Sequence, residues 1–106
     1  MTDEYLLDIA QTSTAVMLAY FRKPRLAGKA ADDVFMALCD RTFGECKSEA
    51  QVSRAELMEA TGLTQSTVSV ALGKLLDAGL ITRRSPGHKQ AFIYRIERDA
   101  VLQAAA

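Results

Sequence analysis

The most constraining feature of this chain is a pair of short helix patterns separated by a glycine, within residues 53–79. Ser53 and Glu56 have the spacing of a capping box, in which each side chain bonds the other residue's backbone amide where a helix begins. Gly62 stands where a chain leaving a helix adopts positive φ, which costs glycine almost nothing. The pattern therefore predicts a first short helix that ends at about Thr61.

A second helix is predicted directly after this glycine. Thr64 can cap its N-terminus, and the helix should run from Gln65 to about Ala78. Its apolar residues recur at the i, i+3, i+4, i+7 spacing of one helix face, and they are Val68, Ala71, Leu72, Leu75 and Leu76. Two short helices joined by about four residues around a glycine form a helix-turn-helix, whose second helix is shaped to lie in the major groove of DNA.

Two β-prone runs follow, at residues 80–84 and 91–96, with the segment SPGHKQ between them. Pro86 presets φ for the second position of a turn and Gly87 permits positive φ at the third, so the two runs should pair as an antiparallel hairpin. We read this hairpin, residues 80–96, as a wing. The strand face expected to cover the core carries Phe92, Tyr94 and Ile96.

Individual residues of these two helices and the wing follow a known pattern. The positions that carry it are Leu57, Gly62, Leu63, Thr64, Gln65, Ser66, Thr67, Val68, Ser69, Leu72, Leu75, Gly79, Leu80, Ile81 and Arg83. Together they resemble the winged helix-turn-helix of bacterial transcription regulators of the multiple-antibiotic-resistance type, and also the DNA-binding domain of phage and plasmid replication initiators. The resemblance covers residues 53–96. It implies a winged helix-turn-helix fold and double-stranded DNA as the partner.

The N-terminal part of the chain predicts two further helices. Thr2 should cap the first and Pro24 should end it. Its apolar stripe is Leu6, Ile9, Val16, Met17 and Tyr20. This helix, within residues 1–22, either packs only on the domain's own core or also supplies a subunit interface, with Tyr5, Met17, Tyr20 and Phe21 available. Both readings stay open.

Between that first helix and Ser53, the sequence predicts a loop, a helix and a short strand. Residues 23–29, KPRLAGK, form a loop by their proline and glycine, with basic residues that are solvated or that contact DNA backbone. Residues 30–43 should form the second helix, with Gly44 just past its end, and residues 50–52 a short strand. At the C-terminus, residues 97–106 are expected to form a short helix with a frayed alanine tail.

Length and charge distribution bound the possible functions. The 106 residues suit one domain of the α+β class, and the chain carries no net charge. Residues 1–63 contain seven Lys and Arg against ten Asp and Glu, whereas residues 64–96 contain five against one. The proposed reading surface is therefore locally basic, as contact with phosphate requires.

The candidate base-reading residues occupy the N-terminal half of the second helix, where side chains can reach base edges in the major groove. They are Thr64, Gln65, Ser66, Thr67, Ser69 and Val70. The Gln65 amide can pair bidentately with adenine N6 and N7, the hydroxyls can bond a base or a phosphate, and Val70 can pack on a thymine methyl. The simpler reading is that Thr64 only caps the helix and Ser66 is solvated, and both readings can hold together.

Candidate phosphate contacts lie further along this helix and on the wing. Lys74 is placed to touch phosphate instead of a base. On the wing we favour Arg84 and Lys89 for phosphate or minor-groove contact, although basic residues on a hairpin are often only solubilising. The remaining polar wing candidates are Arg83, His88 and Gln90.

Other chemistry is scarce in this sequence. Cys39 and Cys46 are seven residues apart and the chain has a single histidine, so the ligand spacing of a zinc site is absent and free thiols are expected. No nucleophile and base pair or glycine-rich phosphate loop occurs, so we expect neither an enzyme nor a cofactor. No signal peptide and no span of about 20 apolar residues is found, so a cytoplasmic protein with no membrane partner is expected.

The sequence thus predicts an α+β winged helix-turn-helix, mainly helical with a small antiparallel hairpin, that binds double-stranded DNA sequence-specifically, most simply as a homodimeric transcription regulator. A DNA-binding module of a phage or plasmid replication or partition system would use the same surface. A third reading is a protein-interaction scaffold without DNA binding. It is favoured by the neutral charge, and by Val70 and Gly73 where many relatives carry larger polar or basic side chains.

Overall fold

The computed structural model describes residues 3–22 and 27–106, without the side chain of Phe21. The elements of this part are α1 Asp3–Arg22, α2 Lys29–Thr42, a single 3-10 turn Phe43–Glu45, β1 Glu49–Gln51, α3 Arg54–Thr61, α4 Gln65–Asp77, β2 Ile81–Arg84, β3 Ile93–Ile96 and α5 Arg98–Ala104. They form the predicted α+β winged helix. The expected Thr2 cap, the Pro24 stop and residues 23–26 of the predicted loop lie outside the described residues.

The start and end of α3 confirm the predicted capping signals. The Glu56 amide donates to Ser53 Oγ, and the Ser53 amide donates to Glu56 Oε1, each at 3.1 Å. Gly62 has φ 74°, and its amide donates to the Met58 carbonyl at 2.8 Å, so the helix ends at Thr61 as expected. The chain therefore leaves α3 in the left-handed conformation, and α4 begins three residues after this glycine.

The buried face of α4 packs against α2 at the centre of the core. The predicted stripe is confirmed by four buried residues, Val68, Ala71, Leu72 and Leu75, with Leu76 only half-buried. From α2 the core receives Val34, Phe35 and Leu38. Because α4 has one apolar face fixed in this core, its opposite face is held outward in a defined orientation.

The sheet has the strand order β1-β3-β2 and is antiparallel throughout. Ile81 pairs with Ile96 in the wing hairpin, while Ala50 pairs with Tyr94 on the other side of β3. The predicted pairing of the two wing strands is confirmed, and the predicted short strand lies one residue earlier than expected. Tyr94 and Ile96 are buried as predicted, and Phe92 is half-buried.

Three expectations for the helices need correction. In α1, Leu6 is 40% exposed, and the buried positions of this helix are Ile9, Val16 and Ala19. The second helix ends at Thr42 and continues as the 3-10 turn, so Gly44 lies within that turn. The left-handed residue that ends it is Cys46, with φ 57°.

The C-terminal segment also packs more closely against the rest of the domain than expected. Val101 of α5 is fully buried, and the helix packs against α1. The last two alanines lie beyond the end of α5, but Ala104 and Ala105 are partly buried against the core. Alanine gives little sequence signal for burial, since it is compatible with both a packed and an exposed helix end.

Candidate nucleic-acid interface

The outward face of α4 carries most of the predicted base-reading residues. Gln65, Ser66, Val70 and Lys74 are exposed, and Ser69 is half-buried. Thr64, Gln65, Ser66, Ser69 and Val70 line one open, shallow concavity on this face. Val70 is 59% exposed, so an apolar side chain stands uncovered in the middle of a polar helix face.

The hydroxyls of the first turn of α4 are partly engaged with each other. The Thr67 amide donates to Thr64 Oγ1 at 3.3 Å, and the Thr64 hydroxyl donates to Thr67 Oγ1 at 2.9 Å. Ser66 Oγ lies 3.4 Å from Thr64 Oγ1. The cap expected of Thr64 is confirmed, and the Thr67 hydroxyl, half-buried, serves the same cap. Gln65, Ser69 and Val70 take no part in it, which leaves them the groups of this turn best placed to meet a ligand.

A second groove, of about 430 Å³, joins the start of α4 to the wing. Its apolar lining includes Met58 and Phe92, and its polar lining includes Gln65, Lys89 and Gln90. Three residues that the sequence assigned separately to the helix and the wing are therefore brought together. The same groove is lined by Arg54, the first residue of α3, which sequence reasoning missed. Its position directly after the predicted cap Ser53 was the available signal.

The tip of the wing differs from the predicted turn. Gly87 does not have positive φ, and the left-handed residue is Lys89, with φ 58°. The Gln90 amide donates to the Gly87 carbonyl at 3.4 Å, and the Ser85 hydroxyl donates to the same carbonyl at 3.2 Å. The turn is thus centred on His88 and Lys89, which are both exposed. The segment between β2 and β3 is long enough to turn either at Pro86 and Gly87 or at His88 and Lys89. The Pro-Gly pair therefore did not determine where the turn forms.

The two adjacent arginines of β2, Arg83 and Arg84, lie on opposite faces of the sheet. Arg83 pairs with the inward-facing Tyr94, and its guanidinium carbon lies 4.1 Å from the ring centroid of Phe92, which lines the groove beside Gln65. Such stacking of a guanidinium on an aromatic face holds the cation in place. Arg84 points the other way, because neighbouring strand residues alternate. Its Nη2 lies 2.9 Å from Oε1 of Glu49.

The outward face of the sheet is therefore a network of paired charges. Besides Arg84 and Glu49, it contains Arg95 Nε at 3.8 Å from Glu97 Oε1, and the Thr82 hydroxyl, which donates to the same carboxylate oxygen at 2.7 Å. Arg84 remains a candidate DNA contact only if it exchanges Glu49 for phosphate. Arg83, on the groove side, meets no carboxylate among the described residues.

A third groove, of about 310 Å³, lies between α4 and the N-terminus of α2. Lys74 and Val70 line it from α4, and Lys29 lines it from α2. Lys29 is the one residue of the predicted basic loop that begins an observed helix. The two ammonium groups thus border a surface that continues the exposed face of α4.

The remaining candidate chemistry is limited. In residues 3–22 and 27–106, no group of three or more His, Cys, Asp or Glu side chains is arranged to hold a metal ion. Burial raises the pKa of the Cys39 thiol to about 12, with the Asp40 carboxylate adding to the shift, so this thiol is inert near neutral pH. Cys46 is exposed and free. None of the described helices is long and apolar enough to cross a membrane.

Comparison with known proteins agrees with this geometry. Residues 41–91, just under half of the chain, match the model of the MarR family. The matched segment runs from the end of α2 through α3 and α4 into the wing. The family is one of winged-helix transcription regulators that bind DNA, not one of enzymes. No curated protein matches the chain. The match and the observed fold together confirm the predicted winged helix-turn-helix.

Proposed function

Because residues 41–91 match the MarR family and fold as a winged helix-turn-helix, we propose that this chain is a sequence-specific, double-stranded DNA-binding transcription regulator that acts as a homodimer. In this proposal the outward face of α4 reads base edges in the major groove. The basic residues of the wing and of the helix N-termini hold the DNA backbone. Fold alone does not fix function, so the proposal depends on the side chains of this surface.

The proposal rests on where the ion-paired and the unpaired basic side chains lie. Among residues 3–22 and 27–106, the ion-paired cations are Arg41, Lys47, Arg84, Arg95 and Arg98. Five basic side chains around α4 and on the groove side of the wing form no ion pair within these described residues. They are Lys29, Arg54, Lys74, Arg83 and Lys89. We refer to these five as the unpaired basic set. A cation without a carboxylate partner can replace the counterions condensed on DNA phosphate at little cost.

Base reading is assigned to residues that take no part in the helix cap. Gln65 has a free amide at the groove that α4 shares with the wing, and one bidentate pair with adenine is worth about 1–3 kcal/mol of discrimination. Ser69 adds a hydroxyl, and the exposed Val70 can contact a thymine methyl. Thr64 and Thr67 act indirectly, because their mutual hydrogen bonds set where α4 begins.

A selection of bound sequences from random double-stranded DNA tests this function. We expect the full-length chain to enrich a motif of two related half-sites whose centres are about one helical turn apart. Recovery of unrelated sequences would contradict sequence-specific recognition. Footprinting of the enriched sites then distinguishes the roles, since protection over a promoter supports regulation, and protection of repeated sites at an origin supports a replication or partition module.

A further inference from the structure

An aromatic ring holds the side chain of Arg83 in a defined position. The guanidinium carbon lies 4.1 Å from the ring centroid of Phe92, and Arg83 is the one cation among the described residues that stacks on an aromatic ring. The two residues are diagonal neighbours, because Arg83 pairs with Tyr94 and Phe92 lies two positions before Tyr94. Phe92 also contacts the buried Tyr94 edge to face, with 6.4 Å between the ring centroids. The guanidinium therefore rests on a ring that is itself anchored in the core.

This stacking uses the flat face of the guanidinium and leaves its edge free. The five N–H groups of an arginine lie in the guanidinium plane, so a ring that covers the face does not block them. Among the described residues these N–H groups of Arg83 meet no carboxylate, whereas Arg41, Arg84 and Arg95 each face one. Arg83 thus offers donors whose direction is set before a ligand binds, and such preorganisation reduces the entropy lost on binding.

Phe92 also connects Arg83 with the end of α4 that is assigned to base reading. Its ring lines the groove of about 430 Å³ that Gln65 lines from the start of α4. Arg84, the neighbouring arginine of β2, points to the other face of the sheet, where it pairs with Glu49. Arg83 is therefore the arginine of β2 that lies on the same side as the DNA surface of α4.

The geometry of the guanidinium edge selects one base. Its parallel N–H groups match two acceptors on the same base, and in the major groove guanine alone presents two, O6 and N7. Adenine presents the N6 donor beside N7, so one N–H group of the arginine would face a donor. The amide of Gln65 carries a donor and an acceptor and therefore matches adenine instead. The two side chains are suited to different bases.

We propose that Arg83 is a specificity-determining residue that reads guanine O6 and N7 in the major groove, in the half-site that Gln65 contacts, and that Phe92 is its positioning residue. This inference rests on the proposed DNA-binding function and deepens it by naming a second base reader and its base. A phosphate contact would strengthen binding to all sequences alike. A contact with guanine changes the preference at one base-pair position.

Modified guanine in the selected site tests the contact. 7-Deazaguanine lacks the N7 acceptor in the major groove, inosine lacks the amino group in the minor groove, and both still pair with cytosine. We expect one guanine in each half-site at which 7-deazaguanine, and not inosine, weakens binding of the full wild-type chain about fivefold in fluorescence anisotropy. The same replacement should change the dissociation constant of Arg83→Ala less than twofold, because that contact is already lost. Arg95→Ala, on the outer face of the sheet, is the matched control and should respond like wild type.

The possible failures are distinguishable. Equal losses in wild type and Arg83→Ala at every guanine would overturn the assignment of this contact to Arg83. A loss caused by inosine and not by 7-deazaguanine would place the contact in the minor groove and would overturn the reading of O6 and N7. Either result leaves the proposed function intact as long as the chain selects a motif. A chain that selects no motif would overturn the proposed function and this inference together.

The positioning role of Phe92 is tested separately. Phe92→Tyr keeps the ring and should keep the guanine preference. Phe92→Leu removes the ring and should reduce that preference about threefold, with binding to non-specific DNA unchanged. Lost stability alone would weaken all sequences alike and would appear in thermal melting. A Phe92→Leu protein that melts like wild type and keeps the full guanine preference would overturn the positioning role.

Discussion

The unpaired basic set makes a quantitative prediction for the salt dependence of DNA binding. Each phosphate contact contributes about 0.9 to the slope of log K against log salt concentration. Five such cations in each of two subunits give a slope of up to about −9. Replacing Lys74 and Lys89 by alanine in both subunits removes four contacts, so the slope should become shallower by about 4.

Fluorescence anisotropy with a fixed DNA duplex, titrated at several salt concentrations, measures this slope. The matched control is Lys47→Ala, because this lysine already faces Glu45, with 3.6 Å between Lys47 Nζ and Glu45 Oε1. Arg84→Ala should change the slope by less than about 1, since Arg84 faces Glu49 on the outer side of the sheet. A double variant of Lys74 and Lys89 with an unchanged slope would refute the assignment. A larger loss from Arg84→Ala would mean that the DNA lies on the other face of the wing.

Two predictions concern stability. Hydrogen bonding from Arg41 lowers the pKa of Glu56, so Glu56→Gln should cost up to about 1 kcal/mol at pH 7 in urea unfolding. Because the folded pKa is depressed, this difference is present above the unfolded value of about 4.3 and should vanish as pH falls through the folded pKa; a constant difference down to pH 2 would contradict the ion pair. Leu75→Ala, at a fully buried position of α4, should cost about 2–5 kcal/mol, and a loss below 1 kcal/mol would mean that the core at α4 is loosely packed.

Local signals predicted the helix-turn-helix well. The capping box of Ser53 and Glu56 and the positive φ of Gly62 each depend on residues within one helical turn. Neighbouring residues in the sequence are therefore enough to predict their geometry. The same holds for the apolar stripe of α4, which has one buried face. Helix α1 was harder to assign because it has two apolar faces. Leu6 is 40% and Leu7 is 58% exposed, so neither of these adjacent leucines meets the core, although the apolar spacing assigned Leu6 to it.

The arrangement of the wing depended on contacts distant in sequence. Strand alternation places Arg83 and Arg84 on opposite faces, but it does not determine which of them stacks on Phe92 and which meets Glu49. Glu49 lies 35 residues before Arg84, beyond the reach of any local pattern. Arg54 directly follows the predicted cap Ser53, but the wing residues that share its groove come much later in the chain, so the local sequence did not connect Arg54 with the site.

We propose that α4 reads bases through Gln65. The base preference of Gln65→Ala, measured over all single substitutions of the selected site, tests this assignment directly. We expect a loss of about 1–3 kcal/mol in binding free energy on the preferred site, a flattened preference at one base-pair position in each half-site, and little change in binding to non-specific DNA. Gln103→Ala, which removes an exposed glutamine of α5, should leave the profile unchanged. A Gln65→Ala protein that melts like wild type and keeps the full preference would contradict the claim.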